Sequence, residues 1–175
     1  PACLIERYIN GQRRSIKEFV TTGSSNLTEL LDNYVMPYVM TVLDGYRLIV
    51  RFDPSGIARV QTDGNHCLNI LKDRFKIGDV KGAQTNAIMT RLDAVNNFFN
   101  KLIKWQPAYI VSKKGCPVLI EGYLEKYYYE EVMCSDGKNF KDTPSKTHPH
   151  SDIQDAGQYN ALAMIGYKKP TNNII

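Results

Sequence analysis

Two acidic residues stand three positions apart, where a polar stretch of the chain gives way to an apolar one. Asp152 and Asp155 lie within the segment from His148 to Tyr159, and a helix that begins near Ser151 carries both carboxylates on one face of its first turn. Carboxylate oxygens are the ligands that Mg²⁺ and Mn²⁺ prefer, so this turn can hold a divalent metal ion. The alternative is that Ser151 or Asp152 caps the helix and that Asp155 is a solvated acid, which a helix N-terminus also favours.

A third acidic residue follows a predicted strand. The apolar run from Tyr46 to Phe52 indicates a strand buried on part of both faces, and it stops at Asp53 in the sequence Asp-Pro-Ser-Gly. Ligands and catalytic groups gather at the carboxyl ends of strands in α/β sheets, because the loops that follow are free to vary. Asp53 is therefore another candidate metal ligand and catalytic acid. The alternative is a plain turn, since Asp-Pro-x-Gly is ordinary turn chemistry.

The histidines and the basic residues suggest what these acids would act on. His148 and His150 could orient metal ligands or contact a phosphate group, although loop histidines are often simply solvated. Residues 70–114 hold nine Lys or Arg against three Asp, an excess of six that exceeds the +4 of the whole chain. Such a block favours a polyanion such as DNA, with a solvated helix face as the alternative. The candidate DNA-binding residues are Arg91, Lys101, Lys104, Lys113 and Lys114.

Composition indicates one globular domain over 1–175. The chain is 43% apolar and 23% charged, and it has no apolar run near the roughly 20 residues that a membrane-spanning helix needs. The cysteines, which form no Cys-x-x-Cys pair, predict reduced thiols in an intracellular compartment; they are Cys3, Cys67, Cys116 and Cys134.

The elements that must position the acids follow from the apolar spacing. Asn10-Gly11 predicts a hairpin between strands at 3–9 and 13–21, with Glu6 as an exposed strand charge. A helix is expected over 27–39, kinked or divided at Pro37. The remaining expectations are a helix from about 62–65 to Phe75, a brief strand within 77–84, a helix over 87–105 capped by Thr85 or Asn86, a strand at 108–111, a helix at 118–124, a strand at 127–132, a loop over 134–151 and a final helix that ends near Gly166.

Taken together, the order of these motifs resembles the C-terminal nuclease domain of tailed-bacteriophage large terminases, the motors that package DNA. The resemblance spans essentially the whole chain. The motifs that carry it are Asp53-Pro54-Ser55-Gly56, Gln61-Thr62-Asp63, Asn86 with Arg91 and Ala94-Val95, Cys116 before a short helix, and the closing His148-Pro149-His150-Ser151-Asp152-Ile153-Gln154-Asp155-Ala156.

The resemblance implies a ribonuclease H-like α/β fold, with a central mixed β-sheet flanked by helices. It implies an endonuclease that hydrolyses phosphodiesters of concatemeric double-stranded DNA through two Mg²⁺ or Mn²⁺ ions, with Asp53, Asp152 and Asp155 as catalytic metal ligands. The implied partners are double-stranded DNA, the portal protein, the small terminase subunit and an ATPase domain elsewhere in the protein. The implied location is the cytoplasm of an infected bacterium and transiently the procapsid portal.

The sequence departs from this family at its start. The family carries its first catalytic Asp on the opening strand, whereas here the chain begins at Pro1 and Glu6 is its first acid. We therefore expect the fold to be kept, and metal to bind weakly and DNA to be cut poorly. Two other functions remain open: a non-enzymatic DNA-gripping module that uses the basic residues, and another ribonuclease H-like enzyme such as a junction resolvase or transposase.

Overall fold

The computed structural model describes residues 1–23, 25–55, 67–76, 78–134 and 137–166 of the chain. These residues form a mixed α/β structure with several small sheets. Parts of two expected motifs, Gly56 and Gln61-Thr62-Asp63, lie outside the described residues, as does the expected start of the helix that ends near Phe75.

The largest sheet has three strands in the order β1–β2–β7. Strand β1 (Ala2–Ile9) pairs antiparallel with β2 (Gln12–Val20), and β2 pairs parallel with β7 (Tyr109–Val111). Asn10 and Gly11 both adopt positive φ in the turn between β1 and β2, as a two-residue hairpin requires. The hairpin predicted at the start of the chain is therefore confirmed.

A second, parallel pair joins β3 (Ile49–Phe52) to β4 (Asp79–Gly82). The helix α3 (Cys67–Arg74) lies between these strands in the chain, so the unit is strand, helix, parallel strand. The predicted strand that leads to Asp53 and the brief strand within 77–84 are both present.

Helices cover both faces of the strands. On one face lie α1 (Leu27–Leu30), α2 (Met36–Val42) and α3, which enclose a core of leucines, Val35, Phe75 and Val80 against Cys3 and Phe19 of the sheet. The other face packs against α4 (Ile88–Phe99), α5 (Pro117–Glu121) and α6 (His150–Gly166). Adjacent residues Cys3 and Leu4 serve opposite cores, because side chains alternate along a strand.

The last helix, α6, is central to this second layer. It packs against α4, α5, β1 and β3, and Ile153 and Ala161 on it have no exposed surface. Gly157 permits one close approach, since a Cβ there would lie 3.2 Å from an Arg13 nitrogen and 3.3 Å from Leu4. The final helix predicted from the sequence is thus present and forms much of the core.

The break expected at Pro37 takes a specific form. The helical segment contains a π-helical stretch, Leu31–Val35, directly before α2, and Pro37 lies in the first turn of α2. Proline lacks a backbone N–H and crowds the carbonyl four residues earlier, and a wider turn relieves that crowding. The helix is divided rather than ended, and Asn26 caps its start by accepting from the Glu29 N–H at 2.9 Å.

Glu6 is buried, so the expectation that it is an exposed strand charge is wrong. Its side chain is 1% exposed, and one carboxylate oxygen accepts from Arg13 Nε at 2.9 Å and from the Ser15 hydroxyl at 2.5 Å. Arg13 also donates to the Gly157 carbonyl at 2.7 Å. A buried carboxylate is tolerated here because a guanidinium on the neighbouring strand neutralises it.

Two other expectations are corrected. The helix predicted over 87–105 ends at Phe99, and a small hairpin of β5 (Leu102–Ile103) and β6 (Gln106–Pro107) follows it. Its cap also differs, since Thr85 accepts from the Ala87 N–H whereas Asn86 accepts from Tyr159. The loop predicted over 134–151 contains β9 (Gly137–Pro144), which pairs with β8 (Tyr129–Cys134) in an exposed antiparallel hairpin.

Candidate functional site

Asp53 lies immediately after β3, beside the carboxyl ends of two parallel strands. Its carboxylate accepts from the Ser55 N–H at 2.8 Å, which is the local turn that Asp-Pro-Ser favours. The residue is exposed, so its carboxylate is accessible to a ligand. Asp53 can therefore both stabilise the turn and bind a ligand, because one N–H donor leaves most of the acceptor capacity of the carboxylate unused.

Asp155 lies in the second turn of α6 and is held by two cations. One oxygen accepts from Arg91 Nη1 at 2.8 Å and the other from Lys146 Nζ at 2.7 Å. Arg91, on α4, is only 4% exposed, and its guanidinium also lies 4.8 Å from the centre of the Tyr159 ring. Asp155 therefore balances a buried positive charge.

Tyr159 is a buried residue of α6, the helix that carries Asp155. Tyr159 follows Asp155 by four residues on one face of α6, and its hydroxyl donates to the Asn86 side chain at 2.6 Å. Burial raises the pKa of Tyr159, nearby Arg91 lowers it, and the negative charges of Asp53 and Asp155 raise it further. The charges of both carboxylates thus raise the pKa of the same phenol, although 101 residues separate them in the sequence.

Asp152 faces a different neighbourhood. One oxygen lies 2.7 Å from His148 Nδ1, and the other lies 3.8 Å from the nitrogen of Pro1, where β1 approaches the helix. Asp152 and Asp155 are about equally exposed, at 26% and 25% of their side-chain surface. They share the start of α6, as the sequence predicts, but they contact different elements.

His148 and His150 differ in surroundings. His148 is exposed and contacts Asp152, whereas the His150 ring is 14% exposed and its Nε2 lies 3.0 Å from Glu121 at the end of α5. Neither Ser151 nor Asp152 caps α6, because the helix already begins at His150 and the Ser151 N–H bonds to the Thr147 carbonyl at 2.9 Å. Glu121 is a contact that the sequence pattern did not suggest.

A divalent ion fits these residues only in part. Asp53, Asp152 and Asp155 supply the hard oxygen donors that Mg²⁺ and Mn²⁺ prefer. Both oxygens of Asp155 are already engaged by cations, and within the described ranges no group of three or more His, Cys, Asp or Glu side chains could hold a metal ion.

The five candidate DNA-binding residues separate into two kinds. Arg91 is buried and ion-paired, so it is not a surface cation as expected. The other four side chains are exposed: Lys101, Lys104, Lys113 and Lys114. Lys101 and Lys104 flank the β5–β6 hairpin, and Lys113 and Lys114 lie between β7 and α5.

Sequence reasoning assigned no role at this site to Tyr159 or Lys146, and it named Asn86 only as a motif residue and a possible helix cap. The spacing of four between Asp155 and Tyr159 was a usable signal, since it puts both on one helical face. No comparable signal identified Lys146, because its contact with Asp155 depends on the path of the chain between β9 and α6.

Comparison with protein-family models, curated proteins and solved structures gives no match. The terminase resemblance therefore stays a prediction. None of the helices in the described part of the chain is long and apolar enough to span a membrane.

Proposed function

We propose that the chain is a metal-dependent endonuclease domain of ribonuclease H-like fold, from a viral DNA-packaging terminase, that hydrolyses phosphodiesters of double-stranded DNA. The observation that carries the proposal is the packing of α6, which bears Asp155, against β3, at whose carboxyl end Asp53 lies. One acid follows a parallel strand and the other lies near the start of the last helix, in the order that the terminase motifs have in the sequence.

The acids have distinct proposed roles. Asp53 is an accessible metal ligand, Asp152 is a second ligand oriented by His148, and Asp155 supports the site by fixing Arg91. Mg²⁺ or Mn²⁺, when bound, would stabilise the attacking water and the departing oxygen of an in-line displacement. The Arg91 guanidinium, held by Asp155, lies 4.8 Å from the centre of the Tyr159 ring and places a cationic group beside that residue.

The test compares three variants for cutting and for DNA binding. In Asp53→Asn and Asp152→Asn, plasmid cutting with Mn²⁺ is expected to fall to background while DNA affinity is kept or increased, because negative charge near the phosphates is removed. Asp93→Asn is the matched control, since Asp93 is an exposed acid on α4. Cutting by Asp53→Asn at the wild-type rate would refute the nuclease proposal.

A non-enzymatic DNA-gripping module is the second candidate, favoured by the complete ion-pairing of Asp155. For such a module, Asp53→Asn and Asp152→Asn have no effect on DNA cutting or on DNA binding. The wild-type chain then slows the migration of DNA on a gel without nicking it. A junction resolvase or transposase would instead be recognised by the structure of the DNA ends that it produces.

A further inference from the structure

The β5–β6 hairpin carries two unusual features at its tip. Its two-residue turn consists of Lys104 and Trp105, which adopt φ of 50° and 68°. Positive φ at both central residues is the geometry that normally selects Asn-Gly, and the chain uses Asn10-Gly11 for the turn between β1 and β2. Lys-Trp is thus conformationally disfavoured here, and strained residues of this kind gather at functional positions.

The Trp105 side chain has almost no packing role. It is 93% exposed and is the only tryptophan of the chain. Leu102, at the base of the same hairpin, is 62% exposed. Since a large aromatic side chain normally buries most of its surface, an unpacked tryptophan on a strained turn points to an external contact.

Two arginines lie on the sheet face next to this hairpin. Arg7 and Arg14 are directly opposite each other on β1 and β2, and both are exposed. Like charges directly opposite on neighbouring strands are destabilising, and among the described residues no acid forms an ion pair with either. Arg7 instead lies 5.5 Å from the centre of the Tyr46 ring.

Gln12 ties the arginine pair to the hairpin. Its side-chain nitrogen donates to the Pro107 carbonyl at 2.8 Å, and its side-chain oxygen accepts from Arg14 Nε at 2.7 Å. Ile103 packs against the β1–β2 turn, where a Cβ on Gly11 would lie 3.1 Å from the Ile103 Cδ1 atom. The β5–β6 hairpin and the arginine pair are therefore linked through Gln12 and the β1–β2 turn.

We propose that Arg7, Arg14, Lys104 and Trp105, named here the arginine–tryptophan surface, form an anchoring site for duplex DNA. Arg7, Arg14 and Lys104 form no ion pair within the described part of the chain and so suit backbone phosphates, and an apolar ring on a narrow hairpin suits contact within a groove. Arg13 points toward α6, so its neighbour Arg14 points to the opposite face of the sheet, away from Asp155. This surface holds DNA apart from the acidic residues, and the choice of DNA as its ligand rests on the proposed function.

The fluorescence of Trp105 can be used as a probe of binding, because selective excitation of tryptophan reports on this residue alone. A short duplex DNA is titrated into the Asp53→Asn chain without divalent metal, so that nothing is cut. We expect the Trp105 emission to be quenched and shifted to shorter wavelength on binding, and both changes to be reversed by salt. Saturable binding of DNA with an unaltered Trp105 spectrum would overturn the proposal.

Substitutions then test each part of the surface. Arg7→Ala/Arg14→Ala should weaken binding about tenfold or more and lower the slope of log affinity against log salt by about 1.8, at roughly 0.9 per phosphate contact. Lys126→Ala/Lys138→Ala is the matched control, since it removes the same charge from two exposed lysines that are paired with acids. Equal loss in both double variants would mean a non-specific charge effect and would refute the site.

The turn variant Lys104→Asn/Trp105→Gly keeps the hairpin geometry and removes the proposed contact. It is expected to fold and to bind DNA several-fold more weakly, measured by anisotropy of labelled DNA because the tryptophan is gone. Unchanged affinity would overturn the role of the tip and favour a protein partner for Trp105. If cutting does not depend on Asp53, the nuclease proposal fails. The DNA-binding results for the arginine–tryptophan surface can still be interpreted in that case.

Discussion

At the residue scale, the stability of the fold is expected to depend strongly on the buried ion pair of Arg13 and Glu6. Arg13 has no exposed surface and lies between Glu6 and the Gly157 carbonyl, so it joins β2 to α6. It also stacks on Tyr109, with its guanidinium carbon 4.3 Å from the centre of the ring. Hydrogen bonds engage Nε and Nη2 of Arg13, whereas Nη1 is buried without a partner among the described residues, and the contacts depend on one side chain of fixed shape.

Arg13→Met is expected to reduce the free energy of unfolding by about 3–5 kcal/mol, because it leaves the Glu6 carboxylate buried without a counter-charge. Urea denaturation measures this change. Arg74→Met is the control, since Arg74 pairs with Asp32 at the surface and should matter far less. Adding Glu6→Gln to Arg13→Met should recover part of the loss, and no recovery would contradict this account.

The substitutions of Asp53 and Asp155 are expected to differ in their effect on the free energy of unfolding. Asp155→Asn removes the counter-charge of buried Arg91 and should cost about 1–3 kcal/mol. Asp53→Asn should stay within about 0.5 kcal/mol of the wild type, because Asp53 is exposed and an Asn oxygen can still accept from Ser55. Thermal unfolding of both variants checks this, and equal destabilisation would mean that Asp53 also has a structural role.

At the element scale, the strained hairpin tip makes a prediction about stability. Replacing Lys104-Trp105 with Asn-Gly supplies the residues that favour positive φ and should stabilise the fold by about 1 kcal/mol. For a chain of this size, that corresponds to a rise in Tm of roughly 2–4 °C. The control exchanges Asn10-Gly11 for Lys-Trp and should lower Tm. A fall in Tm for the first exchange would mean that Trp105 stabilises the fold.

The same hairpin explains where the sequence was insufficient. Leu102 and Ile103 continue the apolar spacing of α4, so the pattern alone extends the helix to Trp105. Lys104-Trp105 carries no turn signal, because it lacks Gly, Asn and Pro. By contrast, Asn10-Gly11 identified its hairpin correctly, and the strand before Asp53 and the helix after His148 followed from apolar runs of ordinary length.

The site was predictable only in its separate parts. Spacing put Asp152 and Asp155 near the start of one helix, and a strand end put Asp53 in a loop. The partners of these acids could not be predicted from the sequence, because Arg91 contacts Asp155 only as a result of the packing of α4 on α6. Arg91 consequently looked like a surface cation, and Glu6 looked exposed for the same reason, since its counter-charge lies on another strand.

At the scale of the whole molecule, the position of Pro1 bears on metal binding. The nitrogen of Pro1 lies 3.8 Å from Asp152, so a residue joined to it would lie beside that carboxylate. Under the proposed nuclease function, an acidic residue at that place would supply a further ligand to a metal ion bound by Asp152. Two extended chains that differ only in an Asp or an Asn just before Pro1 therefore test whether Asp152 belongs to a metal site.

The Asp extension is expected to bind Mn²⁺ more tightly and to cut plasmid DNA faster than both the Asn extension and the present chain. Metal that binds only the folded state raises Tm by an amount that grows with the logarithm of its concentration, so Tm against Mn²⁺ concentration gives a readout independent of cutting. Asp152→Asn in the Asp-extended chain should abolish the gain. Equal Mn²⁺-dependent shifts in the two extended chains would mean that Asp152 serves His148 and the start of α6 rather than a metal, because the added carboxylate would then have no ion to share with it.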